Sequence, residues 1–166
     1  REEARALAGL SHPNLVRARD FGALTDGTPF LVMDEVPGRN LHEWIYLARA
    51  QGHMAWAVVW SAADQVLAAL AHAHARGVIH GDLKPSNVML DLPAHGGSPD
   101  VRLLDLGLAW LTRDRVDPRV VGGEGREPTI RNGAGTPGWM APEQIRLATP
   151  HVGPSTDLYA LGCILF

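Results

Sequence analysis

Within six positions, from Asp82 to Asn87, the chain places a carboxylate, a cation and a side-chain amide: Asp82-Leu83-Lys84-Pro85-Ser86-Asn87, preceded by His80-Gly81. Pro85 fixes its own φ and donates no N–H, so a rigid loop rather than a regular helix is expected here. Asp82 can accept a proton from an attacking hydroxyl, and Lys84 can neutralise charge on a moving phosphoryl group. Asn87 can offer its amide oxygen to Mg²⁺, a hard cation that prefers oxygen ligands. One amide alone holds that ion weakly, so a second acid is expected nearby. Asp105 supplies it, at the end of the apolar stretch Val101-Arg102-Leu103-Leu104 and just before Leu106-Gly107. Any one of these residues alone suits an Asx-type turn or a solvated surface charge; together they select phosphoryl transfer.

The elements around the loop follow from periodicity. Glu2–Leu10 reads as a helix with Glu3, Leu7 and Leu10 on one face. Leu15–Phe21 and Pro29–Val36 read as strands joined by a hairpin at Thr25-Asp26-Gly27-Thr28. The run Phe30-Leu31-Val32-Met33 is apolar on both faces, as in a buried strand. Asp34-Glu35-Val36-Pro37-Gly38 then leads out of the sheet. Leu41–Ala50 reads as a helix with Asn40 as its cap. Trp56–Arg76 reads as a longer helix that buries Val59, Ala63, Val66, Leu70 and Ala73, with Gly77 as the residue that ends it. Trp44, Trp56 and Trp60 are expected to pack, and His72 and His74, two apart, point to different sides. Val88–Asp91 is a short strand, and Leu92–Pro99 a surface linker. Gly107 to Gly135 loses all periodicity, and a last helix begins near Ser155-Thr156-Asp157 with Ser155 or Thr156 as its cap.

The 166 residues suffice for one domain, with 46% hydrophobic and 20% charged residues and a net charge of -3. No basic stripe argues for nucleic acid, and no apolar run approaches the ~20 residues of a membrane helix. The single Cys163 cannot form an internal disulfide, which favours a cytoplasmic setting. The chain opens inside a helix and closes in the apolar run Leu161–Phe166, so an internal piece of a longer protein is expected.

Several motifs now stand in order. His80-Gly81-Asp82 with Asn87 resembles the H-R-D-x-x-x-x-N loop of the eukaryotic-type (Hanks-type) serine/threonine protein kinases, in a bacterial-like form. Asp105-Leu106-Gly107 resembles their D-F-G, Ala141-Pro142-Glu143 their A-P-E, and Asp157-Leu158-Tyr159-Ala160-Leu161-Gly162 their D-x-W-S-x-G. The resemblance implies an α+β, two-lobed kinase-like fold, truncated, with 1–36 from the small lobe and 37–166 from the mainly helical large lobe. It implies ATP as phosphoryl donor, Mg²⁺ (or Mn²⁺) as metal, and Ser or Thr hydroxyls of proteins as acceptors.

The same resemblance implies roles for named residues. Asp82 would be the base and Lys84 the cation on the transferring group, with Asn87 and Asp105 holding the metal. Glu3 would pair with a strand Lys upstream of this chain. Met33 would guard the adenine site, the backbone of Asp34 and Val36 would bond adenine, and Met89 would lie beneath it. Thr136 would bond Asp82 and Lys84 in the substrate groove, and Thr129 is a candidate phosphorylation site. His80, Glu143 and Asp157 would be structural, with Glu143 lacking its usual Arg partner and Asp157 bracing the loop backbone. Gly81 departs from the family's Arg, so activation through a phosphate contact at that position is not expected. The upstream glycine-rich loop and Lys are absent from this piece, so by itself it is expected to be inactive, and an uncovered apolar face of its last helix is expected to make it poorly soluble. The alternatives are a pseudokinase scaffold, which the retained Asp82, Lys84, Asn87 and Asp105 oppose, and a small-molecule phosphotransferase, which Ala141-Pro142-Glu143 opposes.

Overall fold

Asp26-Gly27 makes the first turn: the Asp26 side chain accepts from the Thr28 N–H at 2.8 Å, and Gly27 takes a φ of 85°. In the computed structural model, which describes residues 10–52, 54–93, 97–106, 135–145 and 152–166, this turn joins β1 (Ala18–Ala23) to β2 (Pro29–Met33) as an antiparallel pair. Both strands are shorter than the sequence predicts. Leu15 instead forms a lone parallel bridge to Leu103, and residues 34–36 leave the ladder. The expectation that β2 is buried on both faces fails, because Phe30 and Val32 are 40% and 45% exposed. A two-stranded sheet can cover only one of its faces, and periodicity cannot tell which. Glu3 and the rest of the first expected helix up to residue 9 lie outside the described residues, as do Gly107 and Thr129.

After β2 the chain turns at Pro37-Gly38. Gly38 has a φ of 94°, and a Cβ there would sit 2.1 Å from the Leu90 carbonyl oxygen, so only glycine fits. That close approach seats β3 (Arg39–Asn40) beside β4 (Val88–Asp91), which pairs in turn with β5 (Asp100–Leu103); all three are antiparallel. Asn40 caps helix α1 (Leu41–Ala50) by accepting from the Glu43 N–H at 2.9 Å.

Helix α2 (Trp56–His74) buries Ala62, Ala63, Val66, Ala69, Leu70 and Ala73. The small alanines let it lie close to β5 and to the last helix. Its end is closed by two backbone bonds, Val78 N–H to Ala73 C=O at 3.1 Å and Gly77 N–H to His74 C=O at 2.9 Å, with Gly77 at φ 73°. This is the αL glycine closure. Trp56 and Trp60, expected to pack, are 60% and 65% exposed; Trp44 does pack against the core.

Helix α3 (Pro142–Ile145) is a single turn, and α4 (Pro154–Leu165) closes the described structure. Its cap is Gly153 rather than Ser155 or Thr156. Thr156 sits one turn in, and its hydroxyl accepts from the Gly153 N–H at 3.2 Å. One core joins Leu10, Leu15, Leu41, Leu70, Leu83, Val88, Val101, Leu103 and Leu161. Each such side chain contributes about 1.5–3 kcal/mol relative to exposure. Leu83 belongs to the loop of interest, so that loop is nailed into the core between Asp82 and Lys84.

Candidate active site

The 80–87 loop is held from both ends. Pro85–Asn87 form one 3₁₀ turn with Pro85 at its first position, where a missing N–H costs nothing. The Leu104 N–H donates to the Asn87 carbonyl at 2.9 Å, so Asn87 and the end of β5 are backbone neighbours. Asp105 is the next residue. It adopts a φ of 54°, which an Asp tolerates better than most side chains.

At the other end Asp157, 1% exposed on the first turn of α4, lies beneath the loop. Its two oxygens accept from the His80 N–H at 2.9 Å and the Gly81 N–H at 2.8 Å. A third bond, at 2.7 Å, comes from His74 Nε2 at the end of α2. The bonds are charge-assisted and buried, the class that holds geometry best. His80 itself is wholly buried, and burial pushes its imidazole below the ordinary value, against the raising influence of Asp157, Asp82 and Asp105. Its Nδ1 faces the Asp82 N–H at 3.4 Å, while among the described residues Nε2 finds no partner.

Asp82, Lys84 and Thr136 form a closed triangle. Lys84 Nζ donates to Asp82 Oδ2 at 2.7 Å and to Thr136 Oγ1 at 2.8 Å, and the Thr136 hydroxyl donates to Asp82 Oδ1 at 2.7 Å. About a quarter of the Asp82 and Lys84 side chains remains exposed, so the group opens to solvent. Asn87 Nδ2 donates to the Asp82 carbonyl at 3.0 Å, which turns the amide oxygen away from that bond. An amide oxygen and the Asp105 carboxylate on adjoining backbone make an all-oxygen donor set suited to Mg²⁺. Among the described residues no three His, Cys, Asp or Glu gather as a metal cage.

Met33 and Asp105 line one small depression with Leu15, Val16, Ala18 and Leu31. Met89 pairs with Asn40 and Arg102 across the other sheet. Asp34 is committed twice: its N–H donates to the Arg17 carbonyl at 3.1 Å, and its carboxylate is gripped by both the Nε and Nη2 of Arg19. Val36 is half-buried and outside any strand. Glu143 is half-buried; its Oε1 accepts from the Thr156 hydroxyl at 2.7 Å.

The protein kinase domain family matches residues 1–166. The chain belongs to that family. Among curated kinases it is 38% identical over 164 residues to serine/threonine-protein kinase pkn3 of Myxococcus xanthus, covering 99% of this chain and 28% of that protein. It is 39% identical over 166 residues to serine/threonine-protein kinase Pkn1 of the same organism, covering 99% of this chain and 21% of the relative. PkaB, a serine/threonine-protein kinase of Streptomyces coelicolor, is 37% identical over 170 residues, covering 99% of the chain and 36% of its own length. The chain thus spans about a fifth to a third of the kinases it matches. Among the described residues of this kinase-family chain, no helix is long and apolar enough to cross a membrane.

Three polar residues of the site escape sequence reasoning. His74, read from the sequence only as pointing to a different side from His72, is satisfied by Asp157; Gln65 joins Asn14 to β5; Gln144 reaches the 80–87 loop. Their partners lie 36 to 83 positions away in the chain. The one available local signal is position: Gln144 directly follows Ala141-Pro142-Glu143.

Proposed function

We propose that this chain is the phosphoryl-transfer part of a protein serine/threonine kinase, moving the γ-phosphoryl group of ATP to Ser or Thr hydroxyls of proteins. The observation that carries this reading is the Asp82–Lys84–Thr136 triangle. It holds an acceptor carboxylate and a cation side by side and partly open to solvent, where an incoming hydroxyl can meet both. Such a pair is suited to direct transfer between two bound substrates, where positioning and charge stabilisation dominate.

In this reading the acceptor hydroxyl approaches Asp82, which takes its proton as the new bond from oxygen to the γ-phosphorus forms. The bond to the bridging oxygen breaks and ADP departs. Lys84 stays beside the moving group and offsets its charge. Asn87 and Asp105 would hold Mg²⁺, which when bound screens the phosphate oxygens. Met33, Met89 and the backbone of Asp34 and Val36 are proposed to border adenine; the Asp34 N–H is already engaged, so its carbonyl is the group left for that contact. Thr136 shapes the acceptor side, and Glu143, His80 and Asp157 hold the frame. A cytoplasmic setting, where ATP is available, belongs to the same proposal. Ser/Thr choice rests on Lys84-Pro85, on Gly135-Thr136-Pro137, and on the names of the relatives.

The deciding experiment incubates the full-length protein with γ-labelled ATP, Mg²⁺ and casein. Label in phosphoserine or phosphothreonine, lost in Asp82→Ala, supports the reading. Nucleotide binding without transfer, or label only in a small hydroxyl compound, overturns it.

A further inference from the structure

Gln144 is buried, 8% exposed, and the proposed chemistry does not use it. Its side-chain amide nevertheless works at both ends. Oε1 accepts from the Ala141 N–H at 2.9 Å, and Nε2 donates to the Gly81 carbonyl at 2.7 Å. That carbonyl belongs to the same peptide plane as the Asp82 N–H, whose other contact is His80 Nδ1 at 3.4 Å. The preceding peptide is held through the Gly81 N–H by Asp157 Oδ1 at 2.8 Å. Both sides of Gly81 are therefore fastened through backbone atoms.

Two further observations make Gln144 the junction. Gly81 sits at φ 76° and carries no side chain, so the loop cannot be anchored through position 81 itself. Gly135, just before Thr136, lies against the same bond: a Cβ there would be 3.2 Å from Gln144 Nε2 and 3.5 Å from the Gly81 oxygen. The segment that supplies Thr136 and the loop that supplies Asp82 thus meet on the Gln144 amide. Gln144, Asp82, Thr136 and Asp157 line one small pocket.

We propose that Gln144 is a positioning residue: its amide fixes the Gly81–Asp82 peptide so that the Asp82 carboxylate stays aligned with Thr136 and Lys84. Alignment then depends on hydrogen bonds to the backbone on both sides of Gly81 rather than on a side chain at position 81. The proposal rests on the kinase reading for its catalytic consequence, but its structural content stands apart from it.

The test uses the full-length protein with Gln144→Leu and Gln144→Glu. Losing a buried bond worth a few kcal/mol should lower kcat of Gln144→Leu about 10- to 100-fold. Its KM for ATP should stay within about threefold, because Ala141 and Gly81, which its amide bonds, are not among the residues proposed to border the nucleotide. Gln144→Glu keeps the acceptor for Ala141 but turns a carboxylate oxygen towards the Gly81 carbonyl; only its protonated form restores the donor. Its kcat relative to wild type should therefore climb as pH falls from about 8 to about 6, since burial raises a carboxyl pKa. Asp82, Asp157, Glu143, His80, His74 and Lys84 lie around this point, so the ratio to wild type is what counts. Hydrogen–deuterium exchange of the peptide over residues 78–84 should quicken in Gln144→Leu. Unchanged exchange together with wild-type kcat would overturn the proposal. A wild-type protein without transfer activity would overturn the kinase reading instead, and exchange would still decide the role of Gln144.

Discussion

The Thr136 hydroxyl lies 2.7 Å from Oδ1 of Asp82, although 54 positions separate the two in the chain. The second carboxylate oxygen is held by Lys84 at the same distance. A carboxylate has about four lone-pair sites, so an incoming hydroxyl can still bond Asp82 without displacing either neighbour. Thr136 thus sets the orientation of the carboxylate and leaves its capacity as an acceptor intact.

Asp82→Ala in the full-length protein should lower kcat by about 10²–10⁴-fold, the range for a positioned base. The KM for ATP should move little, because Asn87 and Asp105 are untouched. Steady-state kinetics on a protein substrate check both numbers.

Thr136→Val removes the hydroxyl and keeps the shape. Two hydrogen bonds to charged groups are lost, at Asp82 and at Lys84, which corresponds to a fall in kcat of about tenfold or more. Thr136→Ser should retain most of the activity, since it keeps the Oγ that Lys84 and Asp82 share. Equal losses in the two variants would count against the hydroxyl as the active feature.

Asp105→Asn weakens the oxygen donor set without changing its size. Half-maximal rate should then require about tenfold more Mg²⁺, and Asn87→Ala should shift the same curve in the same direction. Titrating the metal at saturating ATP measures this. An unshifted curve in both variants would remove these residues from the metal site.

Asp157→Ala strands two buried backbone N–H groups and the His74 donor. Each unsatisfied buried group costs about 1–3 kcal/mol, so unfolding free energy should fall by about 3 kcal/mol or more. Urea denaturation of the purified protein reads it directly, and a shift below about 1 kcal/mol, the floor for one buried bond, contradicts the arrangement.

Burial holds the His80 imidazole below its ordinary 6.5. The unfolded chain therefore binds a proton at a pH where the folded chain does not, and stability falls as pH drops beneath that ordinary value. Above it, both states carry neutral imidazole and the contribution is flat. Urea midpoints taken between about pH 7.5 and about pH 5.5 should decline more steeply for the wild type than for His80→Gln.

Much of the frame is legible locally because its rules are local. Asp26-Gly27 turns the hairpin, Asn40 caps α1 and Gly77 ends α2 through bonds spanning a few residues. Periodicity also finds the buried face of α2 through Ala63, Val66, Leu70 and Ala73, while Val59, expected with them, is only half-buried. It fails at Trp56, Trp60, Phe30 and Val32, because apolar character marks what could be covered and says nothing about what is available to cover it. The start of α4 is missed because Thr156 bonds the Gly153 N–H from inside the helix, reversing the usual direction of a cap. The long-range polar partners are illegible for a different reason. His74, Gln65 and Gln144 act through individual bonds to groups far away in the chain, and no periodic pattern encodes such a bond.

The closure of α2 at Gly77 leaves only Val78 and Ile79 before His80. Those two residues work as a gauge block between the helix end and the carboxylate of Asp157, which grips His74 on one side of them and His80 on the other. Substitution by another β-branched pair preserves the gauge, whereas adding or deleting one residue advances the whole downstream stretch by one peptide. Length variation is therefore expected to be absent from this short spacer and to accumulate instead between Asp91 and Asp100, where the two strands re-pair whatever the size of the excursion between them.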